Sequence, residues 1–150
     1  MRTLARESDY QLLTSRLASV SPNDTARWGR MNVCQMLRHI DEAIRVPLGE
    51  IQVSEHTSLY WRTVMKWGAF WYPRTWPRNT DTRPELDLCA RGIDGGDFEA
   101  ARADAVTQLT RLRNAQLDGV RHPFFGPLSR REWMRWGWLH TDHHLRQFGR

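Results

Sequence analysis

Apolar residues recur every three or four positions in several long segments of the chain, and polar or helix-breaking residues separate these segments. Such spacing places the apolar residues on one face of an α-helix. No alternation of apolar and polar residues runs far enough to predict a strand. The periodicity therefore predicts an all-α fold. With 150 residues, the chain has the size of a single domain, which we place at residues 1–150.

Capping signals mark where several of these helices begin. Gln35 follows Asn32, and Glu132 follows Ser129, at the spacing of a capping box. Asp97 is a further N-cap candidate. Five helical segments are expected: about residues 3–20, Asn32 to Gly49, about 57–72, Asp97 to about Leu117, and from Ser129 onward.

The segment at residues 57–72 is apolar over most of its circumference, and a narrow polar wedge contains Arg62, Thr63 and Lys66. A helix of this kind is expected to be buried on several sides. Seven of the eight tryptophans lie in "YWRTVMKWGAFWYPRTW" and "EWMRWGW". They indicate either a large aromatic core, or a subunit contact or pocket lining.

Three prolines and three glycines interrupt residues 73–96, which predicts a long connection between helices. Long connections within a compact domain are often functional. The "GIDGG" stretch within it is interpreted as a turn and not a phosphate-binding loop, because no strand precedes it and no G-K-S/T follows.

The formal net charge of +5 does not predict specific nucleic-acid binding. The 21 arginines and one lysine are scattered among 17 acidic residues, and no basic block stands out. Cys34 and Cys89 form no C-x-x-C pair, which favours a reduced, cytoplasmic setting. No signal peptide and no apolar run of membrane-spanning length are seen, so no membrane partner is expected.

Three histidines lie within five residues in "WLHTDHHLRQFGR". On a helical projection, His140 and His144 fall within roughly 60° of Trp133, on the inward face, whereas His143 points to the flank. His39 lies at the edge of the apolar stripe of the second helix. Three imidazoles from two helices would leave open positions on a zinc, nickel or iron ion. The same spacing also suits ordinary histidines at a core boundary, and both interpretations stay open.

Other catalytic signatures are missing. The histidine pair encloses no glutamate as in H-E-x-x-H, which argues against peptide hydrolysis. The sequence contains no evident S-x-x-K, G-x-S-x-G or Cys–His arrangement. Any chemistry is therefore expected to depend on a metal.

Four motifs in order, "WGRMNVCQMLRHI", "PRNTDTRPELD", "HPFFGPLSRREW" and "HTDHHLRQFG", resemble a bacterial branch of the DinB-like superfamily of metalloenzymes over residues 28–149. The resemblance implies a four-helix bundle with up-down-down-up connectivity and an extra N-terminal or crossover helical segment. It also implies a homodimer and a divalent metal held by three histidines. Residues 73–96 fit the long crossover of that topology.

Matched by position, the resemblance assigns the three ligands to His39, His140 and His144. Gln147 matches a glutamine that supports a ligand or faces the substrate. For His122, in "HPFFG", a structural role in the turn before the last helix is expected. His56 has no match and is expected at the surface.

The expected function is that of a metal-dependent transferase acting with a low-molecular-weight thiol, or of a small-molecule hydrolase. Trp133 and Trp136, with the aromatic residues of "HPFFG", are expected to form an apolar wall suited to a hydrophobic electrophile. The alternative is a non-catalytic helical bundle that serves as a dimerisation or interaction module.

Overall fold

The protein is mainly α-helical, as the periodicity predicts. A computed structural model describes residues 1–72, 75–80 and 82–150. Its five α-helices are α1 (Glu7–Ala18), α2 (Val33–Arg45), α3 (Lys66–Trp71), α4 (Phe98–Asn114) and α5 (Arg130–Gln147). A π-helical turn (Trp61–Met65) leads into α3, and a 3-10 turn (Pro84–Leu86) lies between α3 and α4.

The predicted capping signals begin α2, α4 and α5. The Asn32 side chain accepts a hydrogen bond from the Gln35 backbone N–H, and the Gln35 side-chain oxygen accepts one from the backbone N–H of Asn32. Ser129 and Glu132 form the same reciprocal pair at α5. Asp97 accepts from the backbone N–H of Ala100 at α4. Each cap satisfies donors that a helix start leaves unpaired, so the local sequence sets where these helices begin.

Helix α5 is more deeply buried than the projection predicts. The expected inward face is buried except for the partly exposed His140, and Met134, Leu139 and Leu145 on other sides of the helix are buried as well. The reason is that α1, α2, α3 and α4 all contact α5. At Gly137 a Cβ atom would lie 2.6 Å from Leu112 Cδ2 and 2.7 Å from Leu4 Cδ1, so a larger residue would force these neighbours apart.

The prediction that the third segment is buried on several sides is wrong. Phe70 is the buried residue of α3. Leu59, Tyr60, Val64 and Trp67 are 77, 58, 57 and 60% exposed. An apolar side chain is buried only where a partner surface covers it, and in this segment the contact between α3 and α5 leaves most of the apolar side chains exposed.

The "GIDGG" stretch packs on the start of α2. Ile93 O accepts from Gln35 Nε2 at 2.7 Å, and Asp94 O accepts from Asn32 Nδ2 at 3.1 Å. A Cβ at Gly95, whose φ is +95°, would lie 2.5 Å from the backbone of Cys34 and Gln35. The stretch therefore closes over the N-terminus of α2. The predicted connection at 73–96 also includes Pro73, Arg74 and Asp81, which lie outside the described residues.

A short hairpin, which the sequence did not predict, connects α4 to α5. Strands β1 (Arg121–His122) and β2 (Gly126–Pro127) pair antiparallel, with Arg121 opposite Pro127 and His122 opposite Gly126. Two-residue strands are too short to produce a visible alternation of polar and apolar residues. Within the described ranges, no helix is long and apolar enough to cross a membrane.

Candidate metal centre

Helices α2 and α5 bring together the three histidines predicted as ligands. His39 lies on α2, and His140 and His144 lie one turn apart on α5. Each offers a nitrogen atom, and these nitrogens all lie within 4.8 Å of one another. The ring centroids are separated by 5.2 Å between His39 and His140, and by 4.7 Å in the other two pairs.

His39 is oriented by a backbone carbonyl of the long connection. Its Nδ1 lies 3.1 Å from the carbonyl oxygen of Leu86, at the end of the 3-10 turn. A carbonyl oxygen only accepts, so Nδ1 carries the proton and donates. The Nε2 atom of the neutral ring then keeps its lone pair, which is the form that ligates a metal.

His144 is oriented by Gln147, one turn further along α5. His144 Nδ1 lies 3.0 Å from Gln147 Oε1, and Gln147 Nε2 donates to the carbonyl oxygen of Trp28 at 2.8 Å. Because the Trp28 carbonyl must receive the amide nitrogen, the amide oxygen faces His144 and accepts from Nδ1–H. His144 thus also keeps an unprotonated Nε2, as expected for a metal ligand whose other ring nitrogen is held by a hydrogen bond.

His140 differs from the other two. Its Nδ1 atom is buried and has no hydrogen-bond partner in the part of the chain that the structure describes. Its ring stacks on Trp136, with centroids 4.8 Å apart and planes at 17°. A buried nitrogen without a partner costs free energy, and an ion or a water molecule is the usual means of satisfying one.

Burial keeps all three imidazoles neutral. It lowers the pKa of His39, although the hydrogen bond to Leu86 acts in the opposite direction. Burial also holds the pKa values of His140 and His144 well below the usual range, and the neighbouring histidines lower them further. Neutral imidazoles are the forms that bind metals, so this cluster needs no deprotonation at neutral pH.

The donor set suits a transition metal. Of the residues that the structure describes, His39, His140 and His144 form the one group of three or more ligating side chains close enough to hold an ion. All three donors are imidazole nitrogens, which favour zinc, nickel or iron over magnesium or calcium. The unpartnered His140 Nδ1 and the neutral rings fit such an ion.

His143 lies beside the cluster and outside it. Its ring contacts the rings of Trp28 at 5.9 Å, Trp76 at 6.3 Å and His144 at 5.2 Å. Trp76 also contacts His140, at 6.4 Å. His143 therefore lies at the flank of the cluster, as predicted. Together with Trp28 and Trp76 it forms an aromatic group that covers one side of the three histidines.

His122 belongs to a separate aromatic cluster. Its Nδ1 accepts from the backbone N–H groups of Phe124 and Phe125, at 3.2 and 3.4 Å, and its ring stacks on Phe125 at 4.7 Å. Burial lowers its pKa to about 3. His122 thus lies at the end of β1 and holds the turn to β2, which agrees with the structural role expected for it. His56 is exposed, also as expected.

The two tryptophans predicted to form an apolar wall have different positions. Trp136 stacks directly on His140. Trp133 is fully buried, its ring contacts His122 and Trp136, and its Nε1 donates to the Val120 carbonyl. Trp133 thus packs against Trp136, and Trp136 is the tryptophan of the pair that stacks on His140.

Sequence reasoning missed the Leu86 and Trp28 carbonyl groups and the Trp76 ring. A backbone carbonyl has no sequence signature, since every residue carries one. The clustering of tryptophans and the length of the connection at 73–96 were the available signals for Trp76.

The family model described as "Protein of unknown function (DUF1569)" matches residues 8–150, and the chain belongs to this family. No curated protein and no solved structure matches the chain.

Proposed function

We propose that this member of the DUF1569 family is a divalent-metal-dependent enzyme of the DinB-like type, with His39, His140 and His144 as the ligands of one zinc, nickel or iron ion. One observation carries the proposal: the buried Nδ1 of His140 has no hydrogen-bond partner among the described residues, and its ring lies beside two imidazoles whose Nδ1 atoms donate to oxygens. A purely structural histidine cluster would be expected to satisfy its own nitrogens.

We also propose the up-down-down-up four-helix bundle for this chain. Its support is that α1 and α2 each contact both α4 and α5, that α4 contacts α5, and that residues 46–97, which include α3, separate α2 from α4 in the chain. In this topology α2 and α5 would present the histidines from facing helices, as metal sites in bundle cores do.

The proposed reaction joins a small thiol to a hydrophobic electrophile. The sulfur forms a bond to the electrophilic carbon, the leaving group departs with the electron pair of its bond, and the thiol proton passes to solvent. A bound divalent ion would act as a Lewis acid and would lower the pKa of a thiol or water molecule bound to it toward neutral pH. With water as the nucleophile, the same balance describes hydrolysis.

The surrounding residues supply orientation and exclude water. The Leu86 carbonyl and Gln147 Oε1 fix the ring orientations of His39 and His144. Trp136 and Trp76 place indole rings on His140, and such surfaces suit an apolar or aromatic substrate better than a charged one.

The test is an activity screen with matched preparations. Protein loaded with zinc, nickel or iron is assayed with several small thiols, and with water alone, against model aromatic electrophiles. Removing a residue that supports a metal ligand typically lowers activity about 10- to 100-fold, and losing a ligand or the metal itself should cost more. The activity of His140→Ala and of metal-stripped protein should therefore fall by a larger factor, whereas His143→Ala should retain activity. Identical activity in all preparations would remove the metal from the mechanism.

The exposed apolar surface supports a second candidate, a dimerisation module. Leu59, Tyr60, Val64 and Trp67 are more than half exposed on one short segment. Such surfaces commonly mark protein contacts. Under this alternative, metal-loaded protein shows no activity with any thiol or with water, and the wild type is a dimer by light scattering that Trp67→Glu converts to a monomer.

A further inference from the structure

A polar cleft at the C-terminal end of α5 gathers four arginines from distant parts of the sequence. It has a volume of about 160 Å³ and is lined by Arg27, Trp28, Arg78, Arg146, Gly149 and Arg150. The sequence showed no basic block, because these arginines come from the segment before α2, from the long connection and from the end of the chain.

Three of the four arginines in this cleft form no ion pair with a carboxylate of the described residues. Arg150 forms an ion pair with Asp24, with Nε 2.7 Å from Oδ2. For Arg27, Arg78 and Arg146, no carboxylate of residues 1–72, 75–80 or 82–150 lies within ion-pair distance. A helix C-terminus favours nearby cations, which accounts for Arg146 in the last turn of α5. Three guanidinium groups around one small cleft repel one another, and a bound anion would remove that cost.

Two of these arginines are held in place by contacts other than ion pairs. The Arg27 backbone N–H donates to the Gln147 carbonyl at 2.7 Å. A Cβ at Gly149 would lie 2.5 Å from Arg27 Nη2, so the guanidinium group lies directly on the backbone of that glycine. The guanidinium carbon of Arg78 lies 4.6 Å from the centroid of the Trp28 ring. The cationic groups are therefore positioned before any ligand arrives.

We propose that this cleft binds the carboxylate or phosphate group of a small molecule. Guanidinium groups bind both oxyanions through paired, charge-assisted hydrogen bonds, and the cleft has room for one such group. A duplex or a long polyanion would need a basic surface that extends beyond it.

The cleft adjoins the histidine cluster, which suggests what the anionic group belongs to. Trp28 lines the cleft, its ring contacts His143, and its carbonyl receives Gln147 Nε2, while Gln147 Oε1 contacts His144. Resting on the proposed function, we assign the anion to the acidic end of the thiol or of its electrophile, with the reacting end directed toward His140 and His144.

The experiment measures anion binding to the full chain as purified, by calorimetry at constant ionic strength with chloride as the balancing salt. Inorganic phosphate and succinate are titrated separately, and the tighter of the two identifies the preferred oxyanion. Arg78→Gln is compared with Arg131→Gln, a matched control whose guanidinium carbon lies 4.9 Å from the Trp71 ring centroid, away from the cleft.

We expect saturable binding of at least one anion, weakened about tenfold in Arg78→Gln and less than about twofold in Arg131→Gln, from the usual strength of a charged hydrogen bond. The affinity should be the same in His140→Ala, which separates anion binding from the metal proposal. No saturable binding, equal losses in the two arginine variants, or a loss in His140→Ala alone would overturn the assignment.

Discussion

Two buried histidine arrangements in this molecule use the same ring atom in opposite ways. In the cluster of His39, His140 and His144, the Nδ1 atoms of His39 and His144 donate to oxygens, and Nε2 keeps its lone pair. In the hairpin, His122 Nδ1 accepts from two backbone N–H groups, so the proton of the neutral ring lies on Nε2. The partner of Nδ1 thus separates a histidine able to ligate from one that holds a turn.

Trp136 links the two arrangements and shows that aromatic contact alone does not distinguish them. It stacks on His140 at 4.8 Å and meets His122 edge-on at 5.5 Å. Burial lowers the pKa in both places. The difference lies in hydrogen bonding, and the predictions below address it.

The largest effect is expected for the stability of His122→Ala. The change removes a ring packed against Phe125, Trp133 and Trp136 and leaves two backbone N–H groups without their acceptor. The free energy of unfolding in urea should fall by about 2–4 kcal/mol.

His140→Ala provides the contrast in the same measurement on metal-stripped protein. It removes a partly exposed ring whose buried Nδ1 has no hydrogen-bond partner in the part of the chain that the structure describes, so the loss should be about 1 kcal/mol or less. Equal losses in the two variants would mean that both histidines are structural, and the comparison would fail.

The second effect is acid destabilisation of the metal-stripped protein. The pKa of His122 is about 3 when folded and 6.5 when unfolded, so between these values the unfolded chain binds the proton and the folded chain does not. Stability is therefore intact above about pH 6.5 and declines as the pH falls toward 3. His122 alone should remove about 2 kcal/mol between pH 7 and pH 5.

Urea unfolding of His122→Ala at pH 7 and pH 5 tests this contribution. The variant should lose about 2 kcal/mol less than the wild type over that interval. The residual loss arises from His39, His140 and His144, whose lowered pKa values act in the same direction. An unchanged pH dependence would show that the hairpin histidine is not buried in neutral form.

The smallest effect concerns Gln147→Leu and is measured as metal affinity. The change removes the acceptor that fixes the orientation of His144 and should weaken binding about tenfold without abolishing it. Gln108→Leu is the matched control, since Gln108 is equally buried but contacts Arg111 on α4. Similar affinities in the two variants would remove Gln147 from the support of the site.

The sequence predicts features that depend on near neighbours. The Asn32 and Ser129 caps are local hydrogen-bond patterns between residues three positions apart, and the spacing of His140 and His144 places both on one helix face. His39 could be assigned to the same site because its own helix has a clear apolar stripe. These features follow from helix geometry alone.

Features that depend on distant backbone could not be predicted. Leu86 is 47 residues from His39, and its carbonyl has no side-chain signature. The exposure of Trp67 was missed because apolar character does not reveal whether a partner surface exists. The four arginines of the cleft come from three separate parts of the chain, and only the fold brings them together at the C-terminal end of α5.

The central claim, that His39, His140 and His144 hold a metal and the other histidines do not, is tested most directly by elemental analysis of protein purified without an affinity tag and without added metal. Wild type and His143→Ala should carry near-stoichiometric zinc, nickel or iron, and His140→Ala should carry almost none. Metal retained in His140→Ala, or lost in His143→Ala alone, would contradict the account.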